Sequence, residues 1–288
     1  MNVTVVGGSG FVGSALCRRL LNKKIDFSIL DIKQSKYFPE AFKNTDIRSE
    51  SQLNRSIETK SVLINLAAEH RDDVSPKSLY DQVNVDGAKN ICRIADVKNI
   101  KKIIFTSSVA VYGFAKLGTD ESGNINPFND YGRTKFEAEQ VYRKWQEKDP
   151  ENRTLVIIRP TVIFGERNRG NVYNLLRQIA SGKFLMVGNG KNRKSLAYVE
   201  NVAAFLEYSL TFKPGLHIYN YIDKPDFTMN LFVSHVNKTL GRSEKINVRI
   251  PYFLGLILGV FFDLLARAAG KKLSISSIRV KKFCTNSV

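Results

Sequence analysis

The chain opens "MNVTVVGGSGFVGSAL", and no other stretch restricts the fold as much. Gly7, Gly10 and Gly13 follow a short β-rich run and open a helical pattern. Glycine permits a tight turn and a close approach of backbone to phosphate. The helix start then offers free N–H groups and a positive dipole end to a pyrophosphate. The spacing is GxxGxxG, one residue wider at the front than GxGxxG, and its strand–turn–helix setting predicts a dinucleotide-binding βαβ unit. Asp31 ends the second strand, 18 residues after Gly13. An acid there accepts hydrogen bonds from the adenosine ribose hydroxyls and repels a 2′-phosphate, so NAD is expected over NADP. The nearby Lys33 weakens that preference.

The glycine loop heads a longer alternation. "DFSILD", "SVLINLAA", "KKIIFTSS" and "TLVIIRPTVIF" read as strands; "FVGSALCRRLLNK", "YDQVNVDGAKNICRIADVK" and the segment containing Tyr131 read as helices. This alternation predicts a parallel sheet with right-handed crossovers. The expected class is α/β: a doubly wound Rossmann sheet over residues 1–165, to which some later segments return, and a smaller C-terminal α/β substrate lobe over 166–288. In the lobe, "GNVYNLLRQIASGK" and "MNLFVSHVNKTLG" read as helices ended by Gly182 and Gly241. Residues 252–266, "YFLGLILGVFFDLLA", are very apolar, but the uncharged run before Asp263 is 11 residues, short of the ~20 needed to span a bilayer. The segment reads first as a packed helix of the lobe. A membrane-surface or partner-docking helix, flanked by Arg267, Lys271 and Lys272, is the second reading.

Composition narrows the class. At 43% hydrophobic and 25% charged residues, the chain is an ordinary globular one. Cys17, Cys92 and Cys284 lie far apart and give no disulfide framework or zinc motif, which suits a reducing cytoplasm. No secretory signal is read at the N-terminus. Lys and Arg exceed Asp and Glu by 44 to 27, a net charge of +17, which favours anionic partners without choosing among them. The basic residues are dispersed and no aromatic-interleaved RNA-recognition motif is present, so nucleic acid is not expected as a partner.

Tyr131 and Lys135, in "NDYGRTKFEAEQ", stand four apart at a helix start and share a face. A phenol titrates near ~10 and is a poor base at neutral pH; a neighbouring ammonium favours the phenolate. With the glycine loop, "NLAA" at 65–68 and "TSSVAVYG" at 106–113, the chain resembles the extended short-chain dehydrogenase/reductase family. In look it is closest to the NAD-dependent nucleotide-sugar 4-epimerases and 4-ketoreductases, over about residues 1–245. The resemblance implies that Tyr131 exchanges a proton with a sugar oxygen while hydride passes between the sugar carbon and NAD. Ser108 would hold the same oxygen, and Lys135 would lower the Tyr131 pKa and bind the nicotinamide ribose. The resemblance also assigns Gly7, Gly10, Phe11, Val12, Gly13 and Asp31 to the dinucleotide, with Asp46 and Ile47 at adenine. Leu66, Ala67 and Ala68 line it, Asn84 and Ser107 lie near the centre, and Pro160 and Val162 flank the nicotinamide.

Family 4,6-dehydratases carry an Asp-Glu pair directly after the serine; Val109 and Ala110 stand there instead, so dehydration is not expected. Val162 replaces an asparagine of many hexose epimerases, which leans towards 4-ketoreductases. By likeness to that branch, Asn171 meets the diphosphate or sugar, Arg193 and Lys194 neutralise phosphate, and Arg279 is a further diphosphate candidate. The expectation is NAD-dependent oxidoreduction at C4 of a nucleotide-diphosphate sugar for surface polysaccharide synthesis, by a cytoplasmic homodimer. It has no membrane span, and peripheral membrane contact stays open. Two alternatives stand beside it: a 3β-hydroxysteroid-type dehydrogenase, and a non-catalytic dinucleotide sensor or RNA-associated protein, against which the intact Ser/Tyr/Lys set argues.

Overall fold

The run TLVIIRP is buried at every position, as in a strand covered on both faces. It is the sixth strand of the computed structural model, which describes residues 1–71, 74–246, 248–268 and 276–286. The first part of the chain forms β1 (Asn2–Val6), α1 (Phe11–Asn22), β2 (Asp26–Asp31), β3 (Phe42–Asn44), α2 (Glu50–Ser56), β4 (Val62–Asn65), α3 (Ser78–Tyr80), α4 (Gly87–Val97), β5 (Lys102–Thr106), α5 (Asp130–Glu147), β6 (Thr154–Pro160) and β7 (Val162–Phe164). The rest forms α6 (Asn171–Ala180), β8 (Met186–Val187), β9 (Arg193–Tyr198), α7 (Val199–Tyr208), β10 (Gly215–Tyr221), β11 (Asp223–Thr228), α8 (Met229–Thr239), β12 (Arg249–Ile250), α9 (Tyr252–Ala268) and α10 (Ser277–Cys284).

Seven strands form one sheet in the order β10-β6-β5-β4-β1-β2-β3, every neighbouring pair parallel. This is the doubly wound Rossmann arrangement expected. Chain order reverses between β1 and β4, so the loops after these strands diverge and leave a crevice. Ile91, Ile94, Tyr142 and Trp145 of α4 and α5 pack in one apolar core on the sheet. Leu16, Leu20, Val202 and Leu206 of α1 and α7 pack in the other.

The chain clusters into two units. The first holds Met1–Gly113, Asp120–Arg167 and Ala197–Ile222; the second holds Phe114–Thr119, Asn168–Leu196 and Asp223–Val288. The second unit has its own small core of Ile179, Met186, Met229 and Val233. In it β9 pairs antiparallel with β11, and β12 pairs in parallel with β8. The helix read over "YDQVNVDGAKNICRIADVK" is divided, α3 passing through a π turn at Asp81–Asp86 into α4.

The apolar segment is a helix, α9, but not the packed one read first. Its inward side is its smallest: an added Cβ on Gly255 would meet Val187 and one on Gly259 the Ser277 backbone. Asp263 beside them accepts from Ser277 N (3.1 Å) and Oγ (2.5 Å). Phe253, Ile257, Phe261 and Leu264 are each more than half exposed. Among the described residues no helix is long and apolar enough to cross a membrane.

Gly7 closes the β1 turn at φ +79°, and a Cβ there would lie 2.5 Å from Ala67 N. Gly7→Ala is expected to cost about 1–3 kcal/mol through backbone strain and displacement of the β4 loop. A urea titration followed by Trp145, the single tryptophan, reads this as a lower midpoint; an unchanged midpoint would refute the close approach.

Candidate active site

The glycine loop ends at Gly10, the extended cap of α1, which has no side-chain cap and no acid in its first turn. The first N–H groups of the helix therefore point at the crevice without a competing anion. Asp31 is fixed beside them: its two carboxylate oxygens accept from Ser9 N and Lys33 N, both at 3.1 Å. Leu66 N donates to Val6 O (2.8 Å) and Ala67 N to Asn65 Oδ1 (3.0 Å), which sets the small Ala67 and Ala68 next to the loop. Asp46 is paired with Arg48 (Nη2–Oδ2 2.6 Å), whose hydrogen bond holds its carboxyl below the usual range. Ile47 is buried and its carbonyl accepts from Asn90 Nδ2 (3.0 Å). Pro160 ends β6, and Val162 is exposed.

Ser108 caps the 3-10 turn Val109–Tyr112, its Oγ accepting from Ala110 N (3.1 Å). The same hydroxyl favours the Tyr131 phenolate. Tyr131 sits in the first turn of α5, whose cap, Asn129, accepts from Gly132 N (2.9 Å). Gly132 is what lets the two segments meet: a Cβ there would lie 2.4 Å from Ala110 O. Lys135 follows one turn later, almost fully buried, with Nζ 4.2 Å from the Phe105 ring centroid. Among the described residues its Nζ makes no hydrogen bond.

The pKa expectation needs correcting for this state. Burial pushes the Tyr131 phenol up, with the Ser108 hydrogen bond opposing it. Burial pulls Lys135 down to about 7, with the charge of Glu139 opposing it. Desolvation disfavours both charged forms and outweighs the attraction expected to lower Tyr131.

Below this pair lies a network missed in the sequence. Arg159 and Glu139, both buried, form a two-pronged ion pair (Nε–Oε1 2.9 Å, Nη2–Oε2 2.6 Å). Arg159 Nη1 also donates to the Tyr112 hydroxyl (2.5 Å), which donates to Asn220 Oδ1 (2.9 Å). Asn84 is buried in the π turn. Its Oδ1 accepts from Glu69 N (2.9 Å), and its Nδ2 donates to Glu69 O and Thr134 Oγ1 (3.0 Å each). It therefore clamps the strand-following loop to the residue next to Lys135.

Of the expected substrate contacts Ser108 lies in the first unit and the other four lie in the second. Asn171 is the exposed first residue of α6, and Arg193 and Arg279 are exposed. Lys194 Nζ donates to the carbonyls of Lys282 (2.9 Å) and Thr285 (2.7 Å), and burial pulls it down to about 8.

NAD fits the first unit. Its glycine loop leaves a helix end open, Asp31 stands where ribose hydroxyls would reach it, and among the described residues the Lys135 ammonium has no hydrogen-bond acceptor. Among the described residues the buried hydroxyls of Ser9 and Ser107 also have no partner, and buried polar groups of this kind call for a polar ligand.

The sequence profile of the NAD dependent epimerase/dehydratase family matches residues 3–221. The chain is 50% identical over 290 residues to N-acetyl-alpha-D-glucosaminyl-diphospho-ditrans,octacis-undecaprenol 4-epimerase of Escherichia coli O157:H7, covering 99% of this chain and 86% of that protein. It is 28% identical over 311 residues to a decarboxylating sterol-4-alpha-carboxylate 3-dehydrogenase of Candida albicans, covering 98% and 88%. Its fold matches UDP-glucuronic acid 4-epimerase from Bacillus cereus, solved with NAD, at a TM-score of 0.73 and 21% identity over 87% of each chain.

Two outcomes follow from the geometry. Lys135 is depressed, so between about pH 7 and ~10.4 the folded chain holds fewer protons there than the unfolded chain. Its destabilising effect is therefore fullest below pH 7 and lifts as pH rises. Lys135→Met is expected to raise unfolding free energy at pH 7 by about 1–4 kcal/mol, a gain that shrinks towards pH 10 in urea titrations, while turnover is lost. A variant no more stable at pH 7 would contradict the depressed pKa. Gly132→Ala is expected to part Ser108 from Tyr131 and lower kcat by about 10²-fold; a parental kcat would exclude the close approach.

Proposed function

Because the chain belongs to the NAD-dependent epimerase/dehydratase family, we propose that it inverts C4 of an N-acetylhexosamine held on a diphosphate, whose far side carries a polyprenol. The observation that carries this reading is the close approach of the Ser108 turn to the start of α5, where Tyr131 and the buried Lys135 share a face and, among the described residues, Lys135 Nζ makes no hydrogen bond. The 50% identical relative is named for this reaction on a lipid-linked diphosphate sugar. A nucleotide-diphosphate sugar presents the same sugar and diphosphate and is the second substrate considered.

NAD, when bound, supplies the hydride acceptor and returns the hydride to the sugar. Tyr131 Oη takes the proton of the C4 hydroxyl and gives it back to the same oxygen once the hydride has returned to the opposite face. Ser108 Oγ, fixed by Ala110 N, holds that oxygen throughout. The ammonium form of Lys135 favours the phenolate that takes the proton. Val109 and Ala110 provide no carboxylates, so elimination of water has neither acid nor base. We place the activity in the cytoplasm, in a homodimer serving surface polysaccharide synthesis; NAD chemistry and three free cysteines suit that compartment.

The test incubates purified protein and NAD with a short-chain polyprenyl-diphospho-N-acetylglucosamine and, separately, with UDP-N-acetylglucosamine. Mild acid releases the sugar for chromatography. The expected product is a mixture of N-acetylglucosamine and N-acetylgalactosamine from the lipid-linked substrate. Tyr131→Phe is expected to keep NAD affinity and to lose about 10²–10⁴-fold in turnover. No conversion of either substrate by the NAD-loaded parent would sink the reading.

A further inference from the structure

Helix α9 is built inside out. Gly255, Gly259 and Asp263 repeat every four residues and face the second unit, against Val187 and Ser277. On the far side Phe253, Ile257, Phe261 and Leu264 form one stripe at helical spacing, each 55–61% exposed. Leu254, Leu258 and Leu265 widen it. A stripe this bulky and continuous on a surface marks an interaction face. At 17 residues the helix is ~26 Å long, so it lies along a bilayer rather than through it.

Charge selects the occupant. From Pro251 onward the sequence has six basic residues, Arg267, Lys271, Lys272, Arg279, Lys281 and Lys282, against one acid, Asp263. That acid is turned inward onto Ser277, whereas Arg279 and Lys281 are exposed on α10, which packs against the glycine side of α9. An apolar stripe flanked by cations matches the boundary of an anionic bilayer, acyl chains below and phosphates above. A second copy of a chain with net charge +17 would bring the same cations face to face. We propose that α9, with the exposed cations of α10, is a docking surface for anionic phospholipid bilayers. The proposal deepens the lipid-linked reading above, since a substrate anchored by a polyprenol lies in a membrane; the surface itself is argued from α9 and charge.

Flotation of the full chain with vesicles tests it. The parent is expected to float with phosphatidylglycerol-containing vesicles, to float less in high salt, and to stay at the bottom with pure phosphatidylcholine. Ile257→Glu/Phe261→Glu is expected to cut flotation by more than about tenfold. It should keep turnover of the short-chain substrate and lose turnover of a long-chain substrate embedded in vesicles. Phe261→Trp keeps the apolar stripe, and its emission is expected to shift to the blue on anionic vesicles, with Trp145 buried as a constant background. Failure of the parent to float, equal flotation of the double variant, or an unshifted Phe261→Trp emission would each overturn the docking surface. So would a dimer that the double variant breaks in sedimentation without any vesicle binding. Flotation needs no turnover, so a chain that floats but converts neither sugar substrate overturns the C4 reading and supports the surface.

Discussion

A single buried ion pair holds the active centre in shape. Arg159 extends from the penultimate residue of β6, and Glu139 extends from the middle of α5 to meet both of its prongs. Two charges taken out of water are tolerated only when every donor and acceptor is matched, and losing one partner costs about 3–5 kcal/mol. Here the remaining guanidinium nitrogen is matched by the Tyr112 hydroxyl at the end of the Ser108 turn. The pair thus ties β6, α5 and the serine turn together, and two of these segments carry Ser108, Tyr131 and Lys135. Its charge also reaches further: Glu139 is the attraction that opposes the loss of charge on Lys135.

The active centre combines two opposing demands. In the reaction proposed, Tyr131 and Lys135 act on one oxygen away from water, yet that shielding penalises the ions they would use. Ser108 opposes that penalty at Tyr131, and the charge of Glu139 opposes it at Lys135.

How much of this was legible in the sequence follows from how local each feature is. The glycine loop, Asp31, Ser108 and the Tyr131–Lys135 pair lie within one turn or one loop, where spacing fixes geometry, and the sheet followed from its apolar runs. The Arg159–Glu139 pair joins residues on separate elements, and nothing in either local stretch marks the partner. Nothing in the sequence marks Gly132, between Tyr131 and Lys135, because its role appears only when the backbone of Ala110 is beside it. The sign of the Tyr131 shift depended on burial, which pair spacing does not report. The segment 252–266 was apolar enough to suggest a core helix, and its direction was set by where its glycines fall: small residues bring the backbone close, so the large ones are left outside.

The chain order of the sheet has a consequence for how the protein is made. β6 gains its outer neighbour, β10, only at Gly215–Tyr221, after Asn168–Leu196 has entered the second unit. During synthesis from the N-terminus the nucleotide-binding unit therefore waits with a bare strand edge while an inserted stretch emerges. Exposed parallel edges invite wrong pairings, and the late closing strand gives the fold a long-range contact that slows its completion. A chain cut at residue 165, where the sequence suggests a boundary, would keep that edge open permanently. The unit that binds the dinucleotide is continuous in space but not in time.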